Sequence, residues 1–179
     1  MSDSWFTSDH HFFHKKIIKY CARSRPFDTI EEMNEGLIER WNERVKPGDD
    51  VYHLGDFSFG THEKTAAILS RLKGNIHLIL GNHDRAFQSG LIHSLTEVTT
   101  YKELPTKKFG VPIVLCHFPI ESWHRRDYQS IHVHGHLHST SGHHPCTQMA
   151  NRLDVGVDAH PECAPWSSVA IKKALHESS

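Results

Sequence analysis

The sequence of 179 residues has no long apolar run, no paired cysteines, no excess of charge and no low-complexity block. Stretches such as Ile76–Leu80 and Val111–Cys116 fall far short of the roughly 20 residues that a membrane span needs, so no membrane contact is expected. The opening Met1-Ser2-Asp3-Ser4-Trp5 has neither the basic nor the apolar region of a secretory signal, which makes a cytoplasmic location the expectation. Cys21, Cys116, Cys146 and Cys163 form no Cys-x-x-Cys pair; a zinc ribbon is excluded and free thiols are expected. Lys and Arg number 20 against 21 Asp and Glu, a formal net charge of −1. Without a positive field there is no long-range attraction for a nucleic-acid backbone, and extended nucleic-acid binding is not expected.

What the chain does have is histidine, 18 in all, and their positions matter more than their number. Strands are expected at 5–7, 51–54, 76–80, 99–104, 111–116, 131–134 and 153–157. Helices are expected at 15–20, from Thr29, at 62–73, and from Ser167 or Ser168 toward Leu175. Thr29 with Glu32 three residues on is a capping-box signature. Ile30, Met33, Leu37, Ile38 and Trp41 then follow at helical spacing. Strand–helix alternation followed by a strand-rich half predicts an α/β sandwich of mixed sheets in a single domain over residues 1–179.

Five of these strands run out into a polar cluster: Asp9-His10-His11, Gly55-Asp56, Gly81-Asn82-His83-Asp84, His117, and Gly135-His136-Leu137-His138. In α/β folds ligand sites gather at the carboxyl ends of strands, so these distant residues are expected to converge. Carboxylates, imidazoles and one amide, with no thiolate, suit divalent manganese, iron, nickel, cobalt or zinc. Alternate residues of an extended segment share a side, which would aim Asp9 with His11, and His136 with His138, at one centre. The glycines before Asp56, Asn82 and His136 are expected to permit sharp turns and close approach. Singly, each cluster has an ordinary reading as a turn or helix cap; five in order at strand ends do not.

In that order the blocks resemble the calcineurin-like metallophosphoesterase family, whose pattern is DxH, GD, GNHD or GNHE, H and GHxH. The resemblance spans Asp9 to His138, and Phe6–Phe12 and His53–Phe57 look like small bacterial and phage members. It implies a four-layer α/β/β/α sandwich of two mixed sheets. It implies that Asp9, His11 and His138 bind one divalent ion, that Asn82, His117 and His136 bind a second, and that Asp56 bridges both, with manganese the first choice. His83 would face the substrate phosphate and Asp84 would orient it. The chemistry is consistent: two cations about 3.5–4 Å apart clamp a phosphate and generate hydroxide near neutral pH. His83 suits the general acid for the leaving alkoxide, and a carboxylate such as Asp84 could fix its tautomer.

His14, Arg25, Arg85 and His124 are candidate substrate contacts, each with a surface or structural role as the alternative. His10, His53, His132 and His134 are expected in packing or behind the ligands, and His143 and His144 in a solvated loop. The function expected is a metal-dependent phosphoric ester hydrolase acting on a small phosphodiester or phosphomonoester, a small or cyclic nucleotide among them. The alternatives are a nuclease for DNA or RNA and a non-catalytic metal- or phosphate-binding module. Monomer and homodimer both stay open.

Overall fold

The computed structural model describes residues 2–84, 87, 94–139 and 151–176. Strands β1 (Ser4–Thr7), β2 (Asp50–His53), β3 (Asn75–Ile79) and β4 (Glu97–Thr99) are parallel, and β9 (Trp166–Ser167) joins β1 antiparallel, giving the order β4-β3-β2-β1-β9. A second sheet has the order β5-β6-β7-β8, from β5 (Tyr101–Leu104), β6 (Ile113–Cys116), β7 (Ile131–His134) and β8 (Arg152–Asp154), with only β5 antiparallel. The two mixed sheets match the expected fold class. The single strand expected at 99–104 is two strands in different sheets, separated by a bend at Thr100. Alternating polarity is the same on both sides of that bend, so the pattern cannot show the chain changing sheets.

Helix α2 (Ile30–Arg44) starts as its sequence dictates: Glu32 N–H donates to Thr29 Oγ1 at 3.1 Å, and Thr29 N–H donates to Glu32 Oε2 at 3.2 Å. Its buried stripe of Met33, Leu37, Ile38 and Trp41 packs with Ile68 and Leu69 of α3 (His62–Leu69) on Val51, Ile76 and Leu78 of the first sheet. Between the sheets lies a second core, Phe6, Leu54 and Ile79 against Ile113, Leu115, Val133 and Leu153, closed by Ile171 and Leu175 of α5 (Ser168–His176). Ser167 caps α5 by accepting from Ala170 N–H at 3.1 Å. Two short helices, α1 (Ile17–Tyr20) and α4 (Thr106–Phe109), complete the set. On the outer face of the second sheet His132 meets Trp123, ring centroids 5.2 Å apart, from the loop holding a 3-10 turn at Arg126–Tyr128. Among the described residues no helix is long and apolar enough to cross a membrane.

The register sets the position of the site. Thr7 pairs with His53 and His53 with Leu78, so β1, β2 and β3 end in step. Beyond them, Val157 N–H donates to Ser8 O at 3.0 Å, joining the two sheets at this same end.

Burial also sets a pH dependence. His10, His53, His132 and His134 are fully buried, and burial holds all four below the ordinary histidine value, His53 at about 3 and His132 at about 4. A base whose folded value is depressed takes up its proton first in the unfolded chain. Stability complete above pH 6.5 is therefore lost as pH falls, at about 1.4 kcal/mol per pH unit per histidine. Asp154, raised by burial to about 6, and Asp84, also raised by burial, act in the opposite sense but are two carboxyls against four histidines. Thermal melts of the metal-free chain are expected to fall steadily from pH 6.5 to pH 4; a flat Tm over that window would contradict this.

Candidate metal centre

The expected convergence is present, and its local cause differs from the expected one. Asp9, His11, Asp56, His136 and His138 have φ of 56°, 51°, 55°, 73° and 48°. These are left-handed conformers, not alternating positions of an extended strand. Asp and His adopt this region more readily than most residues, yet each such conformer costs on the order of 1–3 kcal/mol and is held by its surroundings. The holding bonds run between loops: Asp9 N–H to Gly55 O, His11 N–H to Asp56 O and Phe12 N–H to Phe57 O, each 3.0 Å.

The glycines act mainly by making room. Of Gly55, Gly81 and Gly135, only Gly55 has the positive φ of a sharp turn, +91°. At Gly135 an added Cβ would lie 2.3 Å from Asp9 Oδ2, and at Gly81 the same distance from Asp56 Oδ1. A methyl group at either place would push a carboxylate out of the site.

Two donor groups result, each with its ligand atoms within 4.8 Å of one another: Asp9, His11 and His138, and Asp9, Asp56 and His117. His11 Nε2 lies 3.7 Å from both Asp9 Oδ1 and Asp56 Oδ2, His117 Nε2 lies 3.7 Å from Asp56 Oδ2, and His138 Nε2 lies 3.9 Å from Asp9 Oδ1. His117 Nδ1 donates to Leu54 O at 2.6 Å, which leaves Nε2 as the lone pair facing Asn82 Oδ1, 3.1 Å away. Asp9 thus enters both groups, where sequence reasoning gave sharing to Asp56 alone. His136 enters neither; its N–H donates to Asp9 Oδ2 at 2.9 Å and its ring centroid stands 5.1 Å from that of His117.

These residues fit divalent cations. Asp9 Oδ1 and His11 Nε2 are buried without a hydrogen-bond partner, an arrangement that is costly unless something positive sits between them. Burial works to raise the Asp9 carboxyl, but His11, His138 and His117 around it hold it well below the carboxylate range. Burial works to lower His138, yet its hydrogen bond to Asp158 dominates and raises it to about 10. Metal uptake in the first group therefore displaces a proton.

His83 lies at the edge of the centre. Its N–H donates to Asp56 Oδ1 at 2.9 Å. Its exposed ring packs on Phe59, centroids 4.8 Å apart, and lines a cavity of about 700 Å³ with His11, His14, Tyr20, Arg23 and His138. Asp84 does something other than hold that ring. One of its oxygens accepts from the N–H groups of Asp56 and Gly81, both at 2.8 Å, and the other from Phe57 N–H at 2.9 Å. It fastens the loop that carries Asp56.

Of the candidate substrate contacts, His14 reaches the cavity, stacked on Phe59 at 4.1 Å. Arg25 does not; it is 1% exposed and its donors go to Asp158 and to the carbonyls of Asp9 and His10. His124 pairs with Glu103 at 2.8 Å on the surface. Arg85 lies outside the described residues, as do His143, His144 and Cys146. The other three cysteines are free thiols. Sequence reasoning missed Asp158, whose Oδ2 accepts from His138 Nδ1 at 2.7 Å. The signal was available, because Asp158 follows the β8 strand end just as the five motifs follow theirs. Cys21, His138 and Asp158 also come within 4.8 Å, but the Arg25 guanidinium already neutralises Asp158 there.

No family model matches this chain. The uncharacterized protein MJ1445 of Methanocaldococcus jannaschii is 36% identical over 141 residues, covering 78% of this chain and 71% of its own. The gene 66 protein of Mycobacterium phage D29 is 31% identical and covers 94% of both chains. The crystal structure of AQ665 from Aquifex aeolicus, a protein of unknown function, superposes with a TM-score of 0.75 at 26% identity, over 97% of this chain and 99% of that one. With identity above 30% across more than two thirds of each relative, this chain belongs to the family of MJ1445 and the mycobacteriophage gene 66 proteins.

Proposed function

We propose that this chain is a single-domain, calcineurin-like phosphoesterase that binds two divalent ions, manganese first among them, and hydrolyses a small phosphodiester or phosphomonoester. The observation that carries this reading is the pair of overlapping donor groups sharing Asp9 at the strand ends. Asp9, His11 and His138 would hold one ion, His117 and Asn82 with neighbouring His136 would hold the other, and the carboxylates of Asp56 and Asp9 would offset the charge of both. When bound, two such ions clamp a phosphoryl group and make a water nucleophilic near neutral pH.

The chain's own residues do the rest. His83 is open to the cavity and fixed to the Asp56 loop through its backbone, so its ring can hand a proton to the departing oxygen. The leaving alcohol then occupies the cavity beside His14 and Tyr20. A volume of about 700 Å³ suits a small ester. The net charge of −1 offers no extended track for a polynucleotide.

A hydrolysis panel tests this: phosphomonoesters, linear diesters, 2′,3′-cyclic nucleotides and oligonucleotides with Mn²⁺, Ni²⁺, Co²⁺, Zn²⁺ and Mg²⁺. Metal-dependent turnover of a small ester, abolished by a chelator, is expected. Preference for oligonucleotides with a steep salt dependence would make the chain a nuclease. No turnover anywhere on the panel would leave a metal-binding module.

A further inference from the structure

We infer that Asp158 and Arg25 are positioning residues that fix His138 as a ligand of the first ion; this rests on the two-ion reading above. His138 presents Nδ1 to Asp158 Oδ2 at 2.7 Å, and its Nε2 faces Asp9 Oδ1. A carboxylate on Nδ1 keeps the proton there and leaves the Nε2 lone pair for the cation, and it also fixes the plane of the ring. Asp158 needs this help from a partner of its own, because an isolated carboxylate in so buried a place is costly. Arg25 supplies it through two parallel bonds, Nε to Oδ1 at 2.9 Å and Nη2 to Oδ2 at 2.7 Å, the forked geometry that holds a carboxylate in one orientation.

The same guanidinium reaches the other half of the first donor group. Nη2 donates to Asp9 O at 2.6 Å and Nη1 to His10 O at 2.9 Å. One buried arginine therefore ties the left-handed turn bearing Asp9 and His11 to the carboxylate that aims His138. All three residues of the first donor group are referred to a single side chain, whereas of the second group only the shared Asp9 is. Removing one partner of a buried ion pair destabilises the fold whatever its role, so the signature that marks a positioning role is the affinity of one metal site and not the Tm.

The test is Mn²⁺ binding to the full chain and its Asp158→Asn variant, by calorimetry and elemental analysis after equilibrium dialysis. The parent is expected to hold two ions. In the variant one site should weaken about 10- to 100-fold while the other keeps its affinity within about twofold, and excess Mn²⁺ should restore turnover. A role confined to the fold would lower the Tm of the metal-free variant while both sites keep parental affinity, and would leave any activity loss unrelieved by metal. Should Asp158→Asn not fold, Arg25→Lys keeps the charge, loses the fork and should weaken the same single site. Two sites of parental affinity in a folded variant would overturn the inference. A parent that binds no ions would instead overturn the reading on which it rests.

Discussion

Asp56→Ala is expected to lower turnover by about 10²- to 10³-fold, the scale of losing one group that offsets charge at a reacting centre. Asp56 is 2% exposed, and its Oδ2 lies 3.7 Å from a histidine of each donor group. Two cations as close as about 4 Å repel strongly even in a partly screened site, and a carboxylate between them offsets that repulsion. Its Oδ1 also anchors the backbone of His83, so the substitution loosens the proposed general acid as well. Steady-state kinetics with saturating Mn²⁺ check this, with circular dichroism of the metal-free chain as the control for folding. A folded variant with more than a tenth of parental turnover would contradict it.

His83→Ala is expected to lower kcat by about 10²- to 10⁴-fold, the range of a positioned proton donor, while the ion count stays at the parental value. The ring touches neither donor group through a hydrogen bond; its contacts are with Phe59 and, edge on, with His11. The loss should depend on the leaving group. An alkyl ester needs its departing oxygen protonated and should suffer most, whereas a nitrophenyl ester, which leaves readily as the anion, should suffer least. Equal losses for both would show that His83 acts on the phosphoryl group or the fold instead of on the leaving oxygen. Asp84 belongs to a different class. With its oxygens on the backbone N–H groups of Asp56, Phe57 and Gly81, it fastens the loop that carries Asp56.

The sequence carried the parts of this site that depend on residue type and order. Thr29 and Glu32 announced α2, and the polar clusters at five strand ends announced the centre. Four things were not legible in full. The left-handed backbone at Asp9, His11, His136 and His138 is imposed by bonds between loops far apart in sequence, so alternation misdescribed it; Asp9 and His11 share a donor group, while His136, paired by alternation with His138, enters neither. Close approach at Gly81 and Gly135 was expected, but that the crowding atoms are the carboxylates of Asp56 and Asp9 is encoded in no local pattern. Arg25, a lone arginine before a proline, looked like any surface cation; only its burial against Asp158 separates a clamp from a substrate contact. The change of sheet at Thr100 was hidden for the same reason, since it depends on what each neighbouring strand pairs with.

The central claim is two ions on one chain, and counting them is its most direct test. Equilibrium dialysis against Mn²⁺ followed by elemental analysis should give two ions per parent chain and at most one in Asp56→Ala. A parent that saturates at a single ion, or an Asp56→Ala variant that keeps both, would contradict the account.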